Sequence, residues 1–348
     1  MNESNDLPPQ LIELENRISS MKDLDALPPA FDVSRFLGKL QAIESSYFQV
    51  NGPPETFAFE TTEEKEGVRL GEYELIEVIG RGGSGTVYRA RHSLLQREVA
   101  IKVLRQMDRG DETGKDDPAI ERFLREIQVI GNIHSPHVVS ATDARVSDGC
   151  LYLVMELVDG VTLQSYIQLH GTPEIDQARQ WMQEICLGLH AAHQTGVIHR
   201  DIKPSNLMLT SEGTIKILDL GLASLRHIPT AGGTDKLPSL TSPSCIMGTV
   251  NYISPEQIED ARTADAKSDI YSLGCVFYFL LTGKPPFSSD DYRADVARLM
   301  AHVSVVPKPV NELQPEVPQD LSDVVARMLA KSPSDRFESV HELSERIR

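Results

Sequence analysis

The residues best suited to chemistry lie in one short stretch, His199-Arg200-Asp201-Ile202-Lys203-Pro204-Ser205-Asn206, and in a turn that follows, Asp219-Leu220-Gly221. From the first carboxylate to the last, 201 to 219, the chain gathers two carboxylates, a lysine and an amide within 19 positions. A carboxylate can accept a proton, and carboxylate and amide oxygens are ligands for hard cations such as Mg²⁺. A polar loop before a buried hairpin is the plainer interpretation. The spacing H-R-D-x-K-x-x-N is nevertheless a specific signature of a catalytic loop.

Two short strands are predicted between these groups, at residues 207–209 and 214–218, around the turn Ser211-Glu212-Gly213. A hairpin of this kind brings Asp201, Asn206 and Asp219 to one end. Asn206 and Asp219 are then placed to share a divalent ion.

A glycine-rich segment, Gly80-Arg81-Gly82-Gly83-Ser84-Gly85, follows a predicted strand at residues 73–79. The spacing G-x-G-x-x-G also occurs in dinucleotide-binding folds, but there a helix begins at the third glycine. Here Thr86-Val87-Tyr88 predicts a returning strand, and no lysine followed by serine or threonine comes after Gly85, so the P-loop pattern is absent. A glycine-rich hairpin whose backbone covers phosphate groups fits this segment better than either of these patterns.

The next predicted strand, residues 98–104, places Lys102 at the end of the apolar run Val99-Ala100-Ile101. A lysine at the end of a strand commonly reaches out to water. The glycine-rich segment upstream favours a phosphate-binding role instead. A helix is predicted from Pro118, and its apolar stripe leaves Glu126 alongside. We therefore expect Glu126 to form an ion pair with Lys102.

These motifs occur in order, and together they resemble the eukaryotic-type protein kinase superfamily, most closely the bacterial Ser/Thr protein kinases. The resemblance covers about residues 73–348. It implies an α+β, bilobal protein kinase fold, with a small β-rich N-lobe that carries one long helix and a larger, mainly helical C-lobe. The kinase domain is expected at 71–348, with the N-lobe at about 71–156 and the C-lobe at about 159–348.

The resemblance also implies roles for individual residues. Asp201 is expected to act as the catalytic base, Lys203 to neutralise charge on the transferred phosphate, and Asn206 and Asp219 to bind Mg²⁺, or Mn²⁺ in its place. The expected ATP-binding residues are Ile79, Gly80, Gly82, Gly85, Val87, Ala100, Lys102, Glu126, Met155, Glu156, Val158 and Met208. Met155 corresponds to the gatekeeper of the adenine pocket. By the same resemblance Asp269 braces the catalytic loop, and Glu256 pairs with Arg336.

The long segment after Gly221, rich in Ser, Thr, Gly and Pro, corresponds to the activation segment. Its preferred phosphorylation sites are Thr241, Ser242 and Ser244, and Arg200 is the cation expected to pair with the phosphate. The resemblance places Thr249 against Asp201 and Lys203. Two residues depart from the family's motifs: Leu220 replaces a phenylalanine, and Ser254 an alanine. Neither change removes a reactive group.

The expected function is an ATP-dependent Ser/Thr kinase that transfers the γ-phosphate to Ser/Thr hydroxyls of protein substrates and autophosphorylates its activation segment. A homodimer that phosphorylates in trans is left open. The alternatives are a pseudokinase-like nucleotide-binding scaffold and a small-molecule kinase. The first usually lacks Lys102, Asp201 or Asp219, which are all present, and the second lacks a peptide-docking segment such as Ser254-Pro255-Glu256.

Composition narrows the class of protein further. The net charge of -17 argues against nucleic acid as a partner. Four scattered cysteines without a C-x-x-C pair and no long apolar run predict a cytoplasmic chain without a membrane span. Residues 1–70 form an acidic N-terminal extension with one or two predicted amphipathic helices. These helices are either marginal and partly disordered, or a docking or regulatory element.

Overall fold

The computed structural model describes residues 68–82, 85–106, 118–147, 150–220, 250–292 and 294–348. They form two lobes, one built on a sheet and the other on helices. This is the bilobal α+β architecture expected from the sequence. The amphipathic helices predicted within residues 1–67 lie outside the described residues.

The N-lobe is a six-stranded antiparallel sheet in the order β1-β2-β3-β4-β6-β5. Its strands are β1 (Arg69–Leu70), β2 (Tyr73–Gly82), β3 (Gly85–His92), β4 (Glu98–Gln106), β5 (Ala141–Ser147) and β6 (Cys150–Glu156). Helix α1 (Pro118–Gly131) packs on one face through Ile127 and Ile130. From the sequence, the N-terminal extension was expected to end at residue 70, which would include β1. In the structure β1 pairs with β2 and therefore belongs to the N-lobe sheet.

Strand β2 contains two bulges, one between Leu75 and Glu77 and one between Val78 and Gly80. Each bulge inserts one residue that has no partner on β3, bends the strand and re-aims the side chains that follow. Beyond them, Gly82 lies opposite Gly85 and closes the hairpin. Gly85 has a φ of 131°, and a Cβ there would collide with the carbonyl of Val103, so only glycine fits.

The C-lobe is helical and surrounds one buried helix. Its helices are α2 (Leu163–His170), α3 (Ile175–Gln194), α4 (Pro255–Glu259), α5 (Ala266–Thr282), α6 (Asp295–Ser304), α7 (Val310–Leu313), α8 (Gln319–Met328) and α9 (Val340–Ile347). Every residue of α5 from Ser268 to Leu281 is buried, as expected for a helix that is apolar on all sides. Among the helices of the described ranges, none is long and apolar enough to cross a membrane.

A small three-stranded sheet, β7 (Gly160–Thr162), β8 (Leu207–Thr210) and β9 (Ile215–Ile217), joins the lobes. β8 and β9 are the hairpin predicted from the sequence, with Leu207 opposite Ile217. Ile217 also donates to the carbonyl of His137 at 2.9 Å and accepts from the N–H of Val139 at 3.0 Å. The connection between α1 and β5 is thereby fastened to the C-lobe.

Helix α4 is held in place by a buried ion pair. The guanidinium of Arg336 donates to both carboxylate oxygens of Glu256, at 2.7 and 2.9 Å, and Arg336 is 1% exposed. The pair expected from the family resemblance is therefore present. Burial alone would raise the pKa of Glu256, but the bonds and charge of Arg336, with a bond from Ser268, hold that pKa below its usual value.

The start of α9 has a side-chain cap. Ser339, followed three positions later by Glu342, accepts a hydrogen bond from the N–H of Glu342. Glu342 does not complete a capping box, because its carboxylate accepts from the N–H of Glu338, one residue earlier. A true capping box occurs instead at α4, between Ser254 and Gln257. The serine that departs from the family motif thus stabilises that helix.

We expect Arg336→Met to lower the free energy of unfolding by about 3–5 kcal/mol, because it leaves the carboxylate of Glu256 buried without its cation. Since the folded pKa of Glu256 is lowered, its stabilising contribution is present above its unfolded pKa and lost as pH falls through the folded one. Urea unfolding at neutral and acid pH measures both effects. Arg262→Met, which breaks an exposed pair with Asp260, is the control and should change little. Equal losses in the two variants would contradict the prediction.

Candidate active site

The loop at residues 199–206 rests on one buried carboxylate, that of Asp269 on α5. Its Oδ1 accepts from the N–H of Arg200 at 2.8 Å, and its Oδ2 from the N–H of His199 at 2.9 Å. Oδ2 also contacts Nε2 of His193, on α3, at 2.8 Å. Arg200 has a φ of 67°, a conformation that costs a non-glycine residue free energy, so the bonds to Asp269 hold the loop in a strained shape.

A second set of bonds connects this loop to the chain just before Asp219. The ring of His199 is fully buried; its Nδ1 accepts from the N–H of Asp201, so Nε2 carries the proton and donates to the carbonyl of Leu218 at 2.9 Å. The N–H of Leu218 in turn donates to the carbonyl of Asn206 at 2.9 Å. The loop and the residue before Asp219 are therefore fixed relative to each other.

Asp201 and Lys203 lie together in this loop. The ammonium of Lys203 donates to both carboxylate oxygens of Asp201, at 3.1 and 3.0 Å. Asn206 donates through Nδ2 to the carbonyl of Asp201 at 2.7 Å and to its Oδ2 at 3.4 Å. Asp201 and Asn206 are 9% and 7% exposed, so both polar groups sit in a largely dry pocket.

Lys102 is almost fully buried on β4, and its ion pair is with Asp219, with Nζ 2.7 Å from Oδ2. The sequence predicts an ion pair between Lys102 and Glu126, and that pair stays a prediction. Asp219 has a φ of 57°, and its carboxylate lies against the lysine, so the lysine's charge is compensated from the C-lobe. Glu126 is half-buried on α1, which packs against the same face of the sheet.

The residues expected to contact a nucleotide come from strands of both lobes and from the segment that follows β6. Ala100 pairs with Met155, and Val87 with Lys102, so all four lie on one face of the N-lobe sheet. Met208 on β8 lies on the C-lobe side. Ile79 and Gly80 lie on β2, and Val158 follows β6. A small cavity beside Met155 is lined by Ile130, Val139, Ala141, Leu153, Asp219 and Leu220.

The side chain of Glu156 joins three segments where the lobes meet. Its Oε1 accepts from Nζ of Lys216 on β9 at 2.8 Å and from the N–H of Ser140 at 2.9 Å. The N–H of Glu156 donates to the carbonyl of Ser140 at 3.0 Å. The strand that leads out of the N-lobe is therefore tied to the hairpin that carries Asn206 and Met208.

Several of these contacts had no signal in the sequence. His193, Lys216 and Gln257, whose Nε2 donates to the carbonyl of Arg200 at 2.9 Å, are recognisable only from the packing of distant elements. The residues expected in the activation segment, Thr241, Ser242, Ser244 and Thr249, lie outside the described residues, as does Gly221.

The oxygens available at the site fit a hard divalent ion. Asn206 uses its Nδ2 toward Asp201, which leaves the amide oxygen as its ligand atom, and Asp219 uses one oxygen for Lys102. Among residues in the described ranges, no group of three or more His, Cys, Asp or Glu is arranged to hold a metal. Mg²⁺ usually takes one or two carboxylates together with water and phosphate oxygens, so the oxygens of Asn206 and Asp219 suit such an ion.

Comparison with known proteins agrees with this geometry. Residues 73–346 match the family model described as protein kinase domain. The chain is 38% identical over 275 residues to the serine/threonine-protein kinase PknB of Mycolicibacterium smegmatis, covering 78% of this chain and 41% of that protein. It is 35% identical over 278 residues to the serine/threonine-protein kinase PrkC of Bacillus subtilis, covering 80% and 40%. The chain thus spans about two fifths of the length of these curated relatives.

We expect Asp269→Asn to loosen the 199–206 loop, because an amide has one acceptor oxygen where the carboxylate offers two charged ones. Amide hydrogen exchange at His199 and Arg200 should become faster by about tenfold or more. Asp265→Asn on the same helix is the matched control, since Asp265 caps α5 and asparagine caps a helix equally well. If the exchange of the two amides is unchanged in Asp269→Asn, the bracing role is wrong.

Proposed function

Because this chain belongs to the protein kinase domain family, we propose that it is an ATP-dependent serine/threonine protein kinase that transfers the γ-phosphate to Ser/Thr hydroxyls. The observation that carries the proposal is a pair of ion pairs, Lys102 with Asp219 and Lys203 with Asp201. Asn206 connects them, because it bonds to Asp201 through its side chain and to Leu218, next to Asp219, through its carbonyl. The relatives are named serine/threonine-protein kinases, which supports the choice of acceptor.

Asp201 accepts the proton of the substrate hydroxyl and orients its oxygen toward the phosphate. The bond from Asn206 to its carbonyl and the bracing of the loop by Asp269 hold it in place before substrate arrives. Lys203, now shared between the two oxygens of Asp201, supplies positive charge to the transferred phosphate. Phosphoryl transfer needs this positioning and charge neutralisation more than covalent participation by the protein.

Lys102 holds the α- and β-phosphates of ATP. This requires the ammonium to exchange the carboxylate of Asp219 for phosphate oxygens, which frees that carboxylate as a ligand. Asn206 and Asp219 would then hold Mg²⁺, which when bound neutralises the phosphate oxygens. Ile79, Val87, Ala100 and Met208 enclose the adenine, and the backbone from Glu156 to Val158 bonds its edge. Glu126 is proposed to contact Lys102 in that nucleotide-bound state.

Regulation by phosphate is proposed at Thr241, Ser242 and Ser244. Supporting it, Nε of Arg200 is buried and has no hydrogen-bond partner within the described ranges. A buried guanidinium nitrogen without a partner is costly, and a phosphate oxygen would satisfy it with a charge-assisted bond. Arg200 precedes Asp201, so such a bond would act directly on the loop that carries the base.

The first test is Asp201→Asn, which keeps the size of the side chain but removes the proton acceptor. Purified wild type with Mg·ATP should incorporate phosphate on Ser/Thr, in itself or in a generic basic protein. The variant should lose about 10²–10⁴-fold of that rate. Asp323→Asn, the same change on the exposed face of α8, should keep full activity. Equal background incorporation by wild type and Asp201→Asn would refute the kinase proposal.

The second test concerns the activation segment. Mass spectrometry after incubation with Mg·ATP should locate phosphate on Thr241, Ser242 or Ser244. Replacing all three by alanine should abolish the rise in rate that follows preincubation with ATP, because Arg200 then has no phosphate to bind. The matched control replaces three other hydroxyl residues of the segment, Thr230, Thr234 and Ser239, by alanine. Equal stimulation of both triple variants would show that these sites do not regulate the enzyme.

A further inference from the structure

The peptide group between Arg200 and Asp201 is held on both sides. Its carbonyl accepts from Nε2 of Gln257, on α4, at 2.9 Å, and its N–H donates to Nδ1 of His199 within the same loop at 3.3 Å. A planar peptide group can turn only through the dihedral angles of the two residues that it joins. The orientation of this peptide therefore sets the direction in which the side chain of Asp201 leaves the backbone.

The bracing by Asp269 acts on the two peptide groups that come before this one. Its carboxylate accepts from the N–H groups of His199 and Arg200. Arg200 follows with a φ of 67°, a strained conformation that the surrounding contacts must maintain. Gln257 adds a bond from a different element, α4, on the carbonyl side of Arg200. The loop is thus braced by α5 up to Arg200 and by α4 at the peptide that leads into Asp201.

The side chain of Gln257 is itself oriented by Ser254. Its Oε1 accepts from the backbone N–H of Ser254 at 3.3 Å and from the hydroxyl of Ser254 at 3.0 Å. These two donors fix the amide so that its NH₂ group, and not its oxygen, faces the carbonyl of Arg200. Both side chains are buried, so a reversed amide would place two oxygens together where little water could separate them.

An amide is the side-chain group that this arrangement requires. It offers an acceptor to Ser254 and a donor to Arg200, whereas a carboxylate has only acceptors and an aliphatic side chain has neither. The helix that carries Gln257 is fixed by the buried ion pair between Glu256 and Arg336. The amide therefore connects a firmly held helix to the peptide group before the base.

We propose that Gln257 is a positioning residue for Asp201, and that Ser254 keeps the amide of Gln257 in the orientation that this role requires. The inference rests on the proposed function, in which Asp201 accepts the proton of the substrate hydroxyl. Gln257 acts through the backbone before Asp201, so it affects the rate of phosphate transfer and not the binding of ATP. The serine that replaces the family's alanine at position 254 thus serves the loop as well as the cap of α4.

The first measurement compares the wild type with Gln257→Glu, which keeps the size of the side chain and the acceptor for Ser254 but removes the donor. In phosphate transfer to a generic basic protein, kcat should fall about 10–100-fold, because the carbonyl of Arg200 loses its donor and the base is displaced. KM for ATP, and the affinity for ATP without protein substrate, should stay within about twofold of the wild-type values. Gln319→Glu, the same change on the exposed first turn of α8, is the control and should leave kcat unchanged.

The second measurement does not depend on catalysis. In residue-resolved amide hydrogen exchange without nucleotide, the N–H of Asp201 should exchange about tenfold faster in Gln257→Glu than in wild type. The N–H of Arg200, which Asp269 holds, should keep its wild-type rate. Gln257→Met, which removes the donor without adding a charge, should give the same pattern. Ser254→Ala leaves one donor to the amide oxygen, so its kcat should fall by only about threefold.

Three outcomes would overturn the proposal. The first is wild-type exchange at Asp201 in both variants of Gln257, whether or not the wild-type protein transfers phosphate. The second is faster exchange at Asp201 with an unchanged kcat, which would show that the bond does not position the base. The third is a fall in kcat with an equal loss of ATP affinity, which would show a general disturbance of the domain. Failure of the proposed function is distinct, because the wild type would then incorporate no phosphate while its exchange at Asp201 still reports the bond.

Discussion

The carboxylate of Asp269 lies beneath the 199–206 loop, 1% exposed, and accepts hydrogen bonds from two successive backbone N–H groups. Bonds to a charged acceptor are worth about 1.5–3 kcal/mol each, whereas the left-handed backbone of Arg200 costs about 1–3 kcal/mol. The two bonds therefore suffice to hold a shape that the loop would not adopt alone. Asp269 lies on α5, which is buried from Ser268 to Leu281, so the loop is anchored directly to the C-lobe core.

A second constraint is the charge of Lys102. An ammonium that is 1% exposed must have a counter-charge, because an unpaired buried charge is very costly. Asp219 supplies that charge in this conformation. The same carboxylate is the proposed metal ligand. On the proposed function, phosphate oxygens would take its place at Lys102, and Asp219 would then be available to hold the ion.

Hydrogen bonds of β9 connect the two lobes. β9 bonds to the connection between α1 and β5 through Ile217, and Lys216 from the same strand reaches Glu156. β9 is thus bonded to the N-lobe side. Leu218, which follows it, bonds to Asn206 and precedes Asp219 in the chain. A movement of one lobe relative to the other would therefore also move the proposed metal ligands.

The ion pair between Glu256 and Arg336 fixes α4 in a similar way. Gln257 of this helix donates a hydrogen bond to the carbonyl of Arg200 in the 199–206 loop.

Local sequence determined much of this molecule. The hairpin at β8 and β9 and the order of the chemical motifs depend on neighbours in the chain. For the same reason they could be predicted together with the bilobal fold. The pairs between Glu256 and Arg336 and between Asp269 and the loop were predicted only because the motifs resemble a known family.

Tertiary structure alone brought Asp219 to Lys102. The sequence indicated Glu126 as the partner of this lysine, and the ion pair with Asp219 depends on how the segment at Asp219 approaches the sheet. The roles of His193, Lys216 and Gln257 were decided in the same way, since each contacts a residue more than 50 positions away. A charged residue in a sequence shows that a counter-charge is needed if the residue becomes buried. Only the packing of distant elements determines which group comes within about 3 Å of it.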